Sequence, residues 1–354
     1  MKEQTRTMLQ EHCRAYPALQ IEDVFKYLFQ STFGCEHLVS DEQTALEYIQ
    51  SEYAAASALT DARVDRLDGA YSRVYLGVLN QGLRPQTLAK LFCLSSQAEK
   101  DGKQKLEQKL AVARQMIKDG TMPLDLAQFD RKLGEWSCAG FPAVHHSSTF
   151  RKAYHPAYRV LANQFVDFLP VFCEIDKRLE RGNTIVAIEG GSASGKTTLA
   201  SLLQRVYSCN VFHTDDFFLR PEQRTPARLA EPGGNLDRER FIDDVLRSVM
   251  MQESVKYRCF DCGTQTLGEL ITVPHSDLTV IEGAYSLHPA FGQYYDLAIF
   301  LDVKPALQRD RITLRNSPHL AKRFFEEWIP MENTYFSACD IKAKADLVLT
   351  VKSE

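Results

Sequence analysis

The chain has 354 residues, 44% of them hydrophobic and 25% charged, with a formal net charge of -4. That length implies two domains, three at most, and the composition excludes a disordered chain, a collagen-like fibre and a disulfide-held miniprotein. A mildly acidic chain lacks the basic footprint of a nucleic-acid binder, and its nine scattered cysteines, with no signal-peptide pattern at the start, predict reduced thiols and a cytoplasmic protein.

Taken in chain order, periodic apolar positions predict helices over residues 21–33, 42–56, 86–95 and 103–118, so the first half reads as mostly helical. Residues 62–79 differ. They alternate, carry β-branched and aromatic side chains, and turn at Asp68-Gly69, which predicts a small hairpin. A last amphipathic helix over 165–181 ends in a polar run before Gly182. The domain boundary is placed there, giving a mostly helical domain 1–181 and a second domain 182–354. No stretch approaches the length of apolar sequence that spans a bilayer, so no membrane association is expected.

From Gly182 onward, short apolar runs predict strands at 184–189, 210–214, 278–282, 297–302 and 346–351. Helical patterns at 196–207, 238–250, 305–316 and 321–338 separate most of them. Strands alternating with helices imply a parallel sheet covered on both faces, an α/β domain.

The segment Gly190-Gly191-Ser192-Ala193-Ser194-Gly195-Lys196-Thr197 satisfies G-x-x-x-x-G-K-[ST] and runs on into Thr198. It follows one predicted strand and opens a helix, the setting this phosphate loop requires. The fold class is therefore a P-loop NTPase-type α/β sheet. Its glycines let backbone amides converge on phosphate oxygens, Lys196 reaches the β- and γ-phosphates, and the Thr197 hydroxyl ligates Mg²⁺. ATP and Mg²⁺ are the expected cofactors, but the loop does not specify a reaction.

Three later elements narrow the reaction. The second strand ends in Thr214-Asp215-Asp216-Phe217. Neighbouring side chains of an extended chain point to opposite sides, so one carboxylate, Asp215, is expected to face the crevice as the base that takes a hydroxyl proton. The third strand ends in Glu282-Gly283, the form expected of a Mg²⁺-side carboxylate. Arg309, Arg311 and Arg315 follow on one helix; Arg311 and Arg315, four apart, share a face and can close over a triphosphate.

Taken together, GGSASGKT at 190–197, Asp215-Asp216-Phe217, Asn235-Leu236-Asp237, Tyr257 with Phe260-Asp261, IEG at 281–283, RDRITLR at 309–315 and the later Arg323, Trp328, Glu332 and Tyr335 resemble the uridine kinase family. That family is related to phosphoribulokinase and bacterial pantothenate kinase. The resemblance covers about 182–354. It implies an ATP-dependent kinase of a nucleoside-like hydroxyl, with Asp215 as base, Asp237 on a ribose diol, Tyr257 lining the acceptor pocket and Arg311 and Arg315 as lid arginines. Leu236 stands where the family has an aromatic residue and Asp216 where it has serine, while 220–234 is this chain's own. An ATP-sensing regulatory module and a bifunctional enzyme remain as alternatives, and a homo-oligomer is compatible with the sequence.

In the first half, Cys35-Glu36-His37, His145-His146-Ser147 and the run from Tyr154 to Arg159 could assemble a second site for phosphate or for acid–base work. Cys259 and Cys262 form a CxxC with no second ligand pair at metal-site spacing, which reads as two thiols on a strand and turn.

Overall fold

The computed structural model describes residues 2–35, 41–55, 61–96 and 101–352. It forms two compact units, Met1–Cys173 and Glu174–Glu354. The division falls inside the helix Leu169–Leu179. No helix among the described residues is long and apolar enough to cross a membrane.

The amino-terminal unit is built around the helix Ile21–Phe33, which is buried on nearly every side. A helix apolar around most of its circumference belongs in a core. Glu42–Ala55, Pro85–Leu94 and Gly102–Lys118 also form where the periodicity predicts helices. Strands β1 (Val64–Arg66) and β2 (Tyr71–Tyr75) make the hairpin about Asp68-Gly69, with Arg66 opposite Ser72. The strand does not continue to 79. Leu76 N donates to Ala157 O and Gly77 N to Asp61 O, and the chain turns through the 3₁₀ segment Leu76–Gln81. A third strand that the sequence did not reveal, β3 (Tyr158–Ala162), pairs antiparallel with the other edge of β2.

In the carboxyl-terminal unit, β4 (Thr184–Gly190), β5 (Asn210–His213), β8 (Leu278–Glu282), β9 (Leu297–Asp302) and β10 (Leu347–Thr350) form one sheet; β6 (Val255–Asp261) and β7 (Thr266–Val273) form a separate antiparallel hairpin. The sheet is wholly parallel, in the order β10-β9-β4-β8-β5. Its central strands are buried along their length, the expected pattern for a sheet covered on both faces. The chain runs from β4 out to the edge at β5, returns to β8, then crosses to β9 on the far side of β4. The order therefore reverses about β4, and the crevice at the carboxyl end of such a strand is where an open α/β sheet binds its ligand. A shallow recess lined by Asn183, Ile185, Val249, His275 and Asp296 lies at the opposite, amino-terminal end of these strands.

Candidate functional site

The phosphate loop leaves β4 at Gly190, whose φ is +147°. A Cβ there would stand 2.6 Å from Leu301 O, so only glycine fits between the loop and β9. The helix Lys196–Tyr207 begins directly after Gly195. Its first internal hydrogen bond is Leu199 N to Gly195 O, 2.9 Å. The amides ahead of Leu199 thus lie at the positive end of the helix without helical partners. Ser194 Oγ is buried in the loop and has no hydrogen-bond partner among the described residues. Lys196 Nζ curls over the loop, donating to Gly190 O (2.8 Å) and Gly191 O (3.1 Å).

The loop is braced by residues from distant parts of the chain. Glu332, on the helix Ile329–Ala338, accepts from Ser192 N (2.9 Å) and Ser192 Oγ (2.6 Å). Gln308 Nε2 donates to Ser192 O at 2.9 Å, and Arg311 Nη1 to Ala193 O at 3.2 Å. Beneath the loop, fully buried Glu189 accepts from Gly190 N, Tyr285 N, Leu287 N and the Tyr335 hydroxyl. Burial pushes this carboxyl up to about 7, against the pull of the amide donors and Lys196. In the sequence Glu189 reads only as the end of an apolar strand. Removing the Tyr335 hydroxyl strips one of four donors from a buried carboxylate, so Tyr335→Phe is expected to destabilise the carboxyl-terminal unit by about 1–3 kcal/mol. Urea unfolding is the measurement; an unchanged midpoint would refute the brace.

Glu282, at the end of β8, is nearly buried. Its Oε1 accepts from Thr197 Oγ1 at 3.0 Å and lies 2.6 Å from His213 Nδ1. The carboxylate raises the His213 pKa. The adjoining Gly283 has φ +139°, and a Cβ there would meet Thr214 Oγ1 at 2.0 Å, so glycine lets β5 and β8 close together at the site. A carboxylate and a hydroxyl are the hard oxygen donors that suit Mg²⁺, which is usually held by one or two carboxylates together with substrate phosphates. Among the described residues no group of three or more His, Cys, Asp or Glu could hold a metal by itself.

Asp215 lies in the turn Thr214–Phe217 at the end of β5, its side chain open to solvent. Crowding by surrounding protein raises its pKa; the Lys196 charge opposes this, and Glu282 and Glu332 add to it. Water reaches its outer face, which damps the rise relative to a sealed acid. The Asn-Leu-Asp element lies beside this turn. Phe218 bridges Leu236 antiparallel, Leu219 N donates to Asn235 O (3.0 Å) and Asp237 N to Phe217 O (2.7 Å). The structure thus joins two elements that lie far apart in the sequence. Asp237 is buried, caps the helix Arg238–Phe241, and receives Gln223 Nε2 at 3.1 Å and Arg240 Nε at 3.4 Å. Asn235 Oδ1 is buried and has no hydrogen-bond partner among the described residues. Tyr257 stacks on Phe217 at 5.7 Å and burial pushes its hydroxyl up to about 12. Cys259 sits on β6 and Cys262 in the turn that follows; neither is in a disulfide.

Of the helix arginines, Arg311 alone touches the loop. Arg315 is exposed and packs on Phe324 at 6.0 Å, and Arg309 packs on Phe325 at 4.5 Å. Sharing a helix face did not give Arg311 and Arg315 a shared target.

A phosphate loop between the central strand of a five-stranded parallel sheet and the helix that follows defines the carboxyl-terminal unit as a P-loop NTPase-type domain. Among solved structures, a "possible uridine kinase" from Bacillus stearothermophilus is 21% identical, spanning 50% of this chain and 97% of that one with a TM-score of 0.38. A provisionally assigned fructose transport system kinase from Silicibacter sp. TM1040 is 23% identical over 48% of this chain and 94% of that one, TM-score 0.39. Shikimate kinase from Bacteroides thetaiotaomicron is 13% identical over 48% of this chain and 86% of that one, TM-score 0.27. No family model and no curated protein matches the chain. The fold assignment rests on the strand order and the loop, not on these likenesses.

In the amino-terminal unit, Glu36 and His37 lie outside the described residues. His146 is buried, its Nδ1 2.8 Å from Asp23 Oδ1 and its Nε2 2.6 Å from the Tyr158 hydroxyl. Ser147 donates to Asp23 through both N and Oγ. Arg159 pairs instead with Glu52 at 2.8 Å. Asp23 escaped the sequence reading because its helix was read for its apolar period alone, which gives an acidic residue no role. Burial lowers the His146 pKa to about 4 and holds His12 well below its usual value, with the Arg73 charge adding to both. Both imidazoles are neutral in the fold and titrate near 6.5 when unfolded. Between pH 6.5 and about 4 the unfolded chain binds a proton that folded His146 does not, so stability falls as pH falls, by about 1.4 kcal/mol per pH unit from His146, and the depressed His12 acts in the same direction. Trp136 is buried in this unit, and a Trp328→Phe variant leaves it as the single tryptophan. Its urea midpoint is expected to drop steeply over that window; a flat profile would contradict neutral buried histidines.

Proposed function

We propose that the carboxyl-terminal unit transfers the γ-phosphoryl group of ATP to a hydroxyl of a small molecule, and that the acceptor is nucleoside-like. One observation carries this reading. Asp215 presents an open carboxylate at the carboxyl end of β5, within electrostatic reach of Lys196 and Glu282. A nucleotide sensor needs no such base.

The residues present suit the nucleotide. The orphan Ser194 hydroxyl and the unpaired amides of the helix start are donors awaiting an anion. Gly190, Gly191, Ser192, Ala193, Ser194, Gly195, Lys196, Thr197 and Thr198 would cradle the phosphates, while Thr197 and Glu282 would hold Mg²⁺, which supplies charge neutralisation on the phosphate oxygens. Asp215 takes the proton of the acceptor hydroxyl as the new O–P bond forms and the β–γ bridging O–P bond breaks, releasing ADP. Lys196 and Arg311 stabilise charge on the transferring group. Asn235 Oδ1 is free to accept from an acceptor hydroxyl. Asp237 retains lone-pair capacity beyond its long contacts, and Tyr257 walls the pocket.

The test is ATP·Mg²⁺ with uridine, cytidine, other nucleosides, pantothenate and sugar phosphates, with products identified by mass spectrometry. An acceptor-dependent phosphorylated product that disappears with Lys196→Ala is expected. Slow ATP hydrolysis indifferent to every acceptor would refute the kinase reading and favour a nucleotide sensor.

A further inference from the structure

Arg73, in the middle of β2, is fully buried, among the largest side chains sealed in the protein. Its Nε donates to Gln30 Oε1 at 2.9 Å. Its Nη1 and Nη2 are buried and have no hydrogen-bond partner among the described residues. The guanidinium carbon lies 4.9 Å from the Tyr158 ring centre and 5.7 Å from that of Tyr27, so aromatic faces wall it. His12 packs against the same Tyr27, tilted, at 4.3 Å, and its Nε2 is also buried with no hydrogen-bond partner among the described residues. Lys26 and His146 both feel the Arg73 charge.

Among the described residues no carboxylate pairs with this charge. Asp23 has both oxygens committed to His146, Ser147 and Gln20 N. Asp68 receives Thr5 and pairs with Lys109. A buried, unneutralised guanidinium is costly and persists where a counter-charge completes it. Its planar fork matches the two oxygens of a carboxylate or phosphate group.

We propose that Arg73 anchors an oxyanion-binding site in the amino-terminal unit, taking a carboxylate or phosphate group of a small molecule across Nη1 and Nη2, with His12 Nε2 as a further donor. This site belongs to the amino-terminal unit and does not depend on the kinase reading.

The full chain carrying Lys196→Ala, which weakens the competing phosphate loop, would be labelled with ¹⁵N-arginine and titrated with sodium acetate or inorganic phosphate against sodium chloride of equal ionic strength. The Arg73 Nε resonance, fixed by Gln30, is expected to shift saturably with at least one oxyanion and not with chloride. Acetate alone assigns a carboxylate ligand, and phosphate alone a phosphate group. Calorimetry with the effective oxyanion should then show a site weakened at least tenfold by Arg73→Lys, which keeps the charge and loses the fork. No saturable shift, an equal response to chloride, or undiminished binding in Arg73→Lys would overturn the proposal. The NMR titration leaves Arg73 intact and stands even where the substitution fails to fold.

Discussion

Asp215→Asn is expected to lower kcat by about 10²–10⁴-fold, the usual weight of a positioned general base, with ATP affinity retained. Asparagine keeps the size and polar character of the side chain and cannot take a proton. Nothing in the surrounding geometry depends on the carboxylate: the turn Thr214–Phe217 is held by Thr214 Oγ1 on Ala284 O and by the bridge between Phe218 and Leu236. The loss should therefore fall on kcat. The pH profile gives an independent check. The base acts ionised, so the rate falls as pH drops through its pKa, tenfold per unit on the acid limb. Crowding raises that pKa, placing the limb above the ordinary aspartate value. The asparagine variant should lose the limb along with the rate. An unchanged kcat, or a limb that survives the substitution, would remove Asp215 from the chemistry.

The residues nearest this reaction were legible because each ends a strand. A parallel sheet with a phosphate loop dictates where its carboxyl ends face, so Asp215 and Glu282 could be placed from the apolar runs before them. The bracing residues could not. Glu189 is acidic in a position where the pattern asks only for an apolar strand, and its meaning comes from Tyr335, which is 146 residues away. Glu332 acquires a role only when its helix packs on Ser192. The β6–β7 hairpin was missed for another reason: β7 is exposed along most of its length, so burial imposes little period on it. In the amino-terminal unit the helices were legible from their periodicity. Arg73 was not, because an arginine within the alternating run 62–79 reads as the solvent face of a strand. The third strand, β3, pairs with Ser72, Arg73 and Val74 along the other edge of β2, and its Tyr158 ring walls the buried Arg73.

Lys196→Ala is expected to reduce turnover by about 10³-fold or more, the scale seen when a cation that stabilises the transferring phosphoryl group is removed. The effect on stability should be small. Lys196 Nζ bonds two carbonyls of its own loop, Gly190 O and Gly191 O, and these can turn to water when it is lost. Large catalytic loss with a near-unchanged unfolding midpoint therefore separates this lysine from Tyr335, whose removal is felt in folding. The lysine charge also holds the Asp215 pKa down. Its loss should move the Asp215 carboxyl titration, followed by ¹³C NMR, upward from its wild-type position. That shift is read without turnover and without nucleotide. If the activity disappears while the Asp215 titration stays in place, the two residues do not share one electrostatic site, and the acceptor hydroxyl must be activated elsewhere in the crevice.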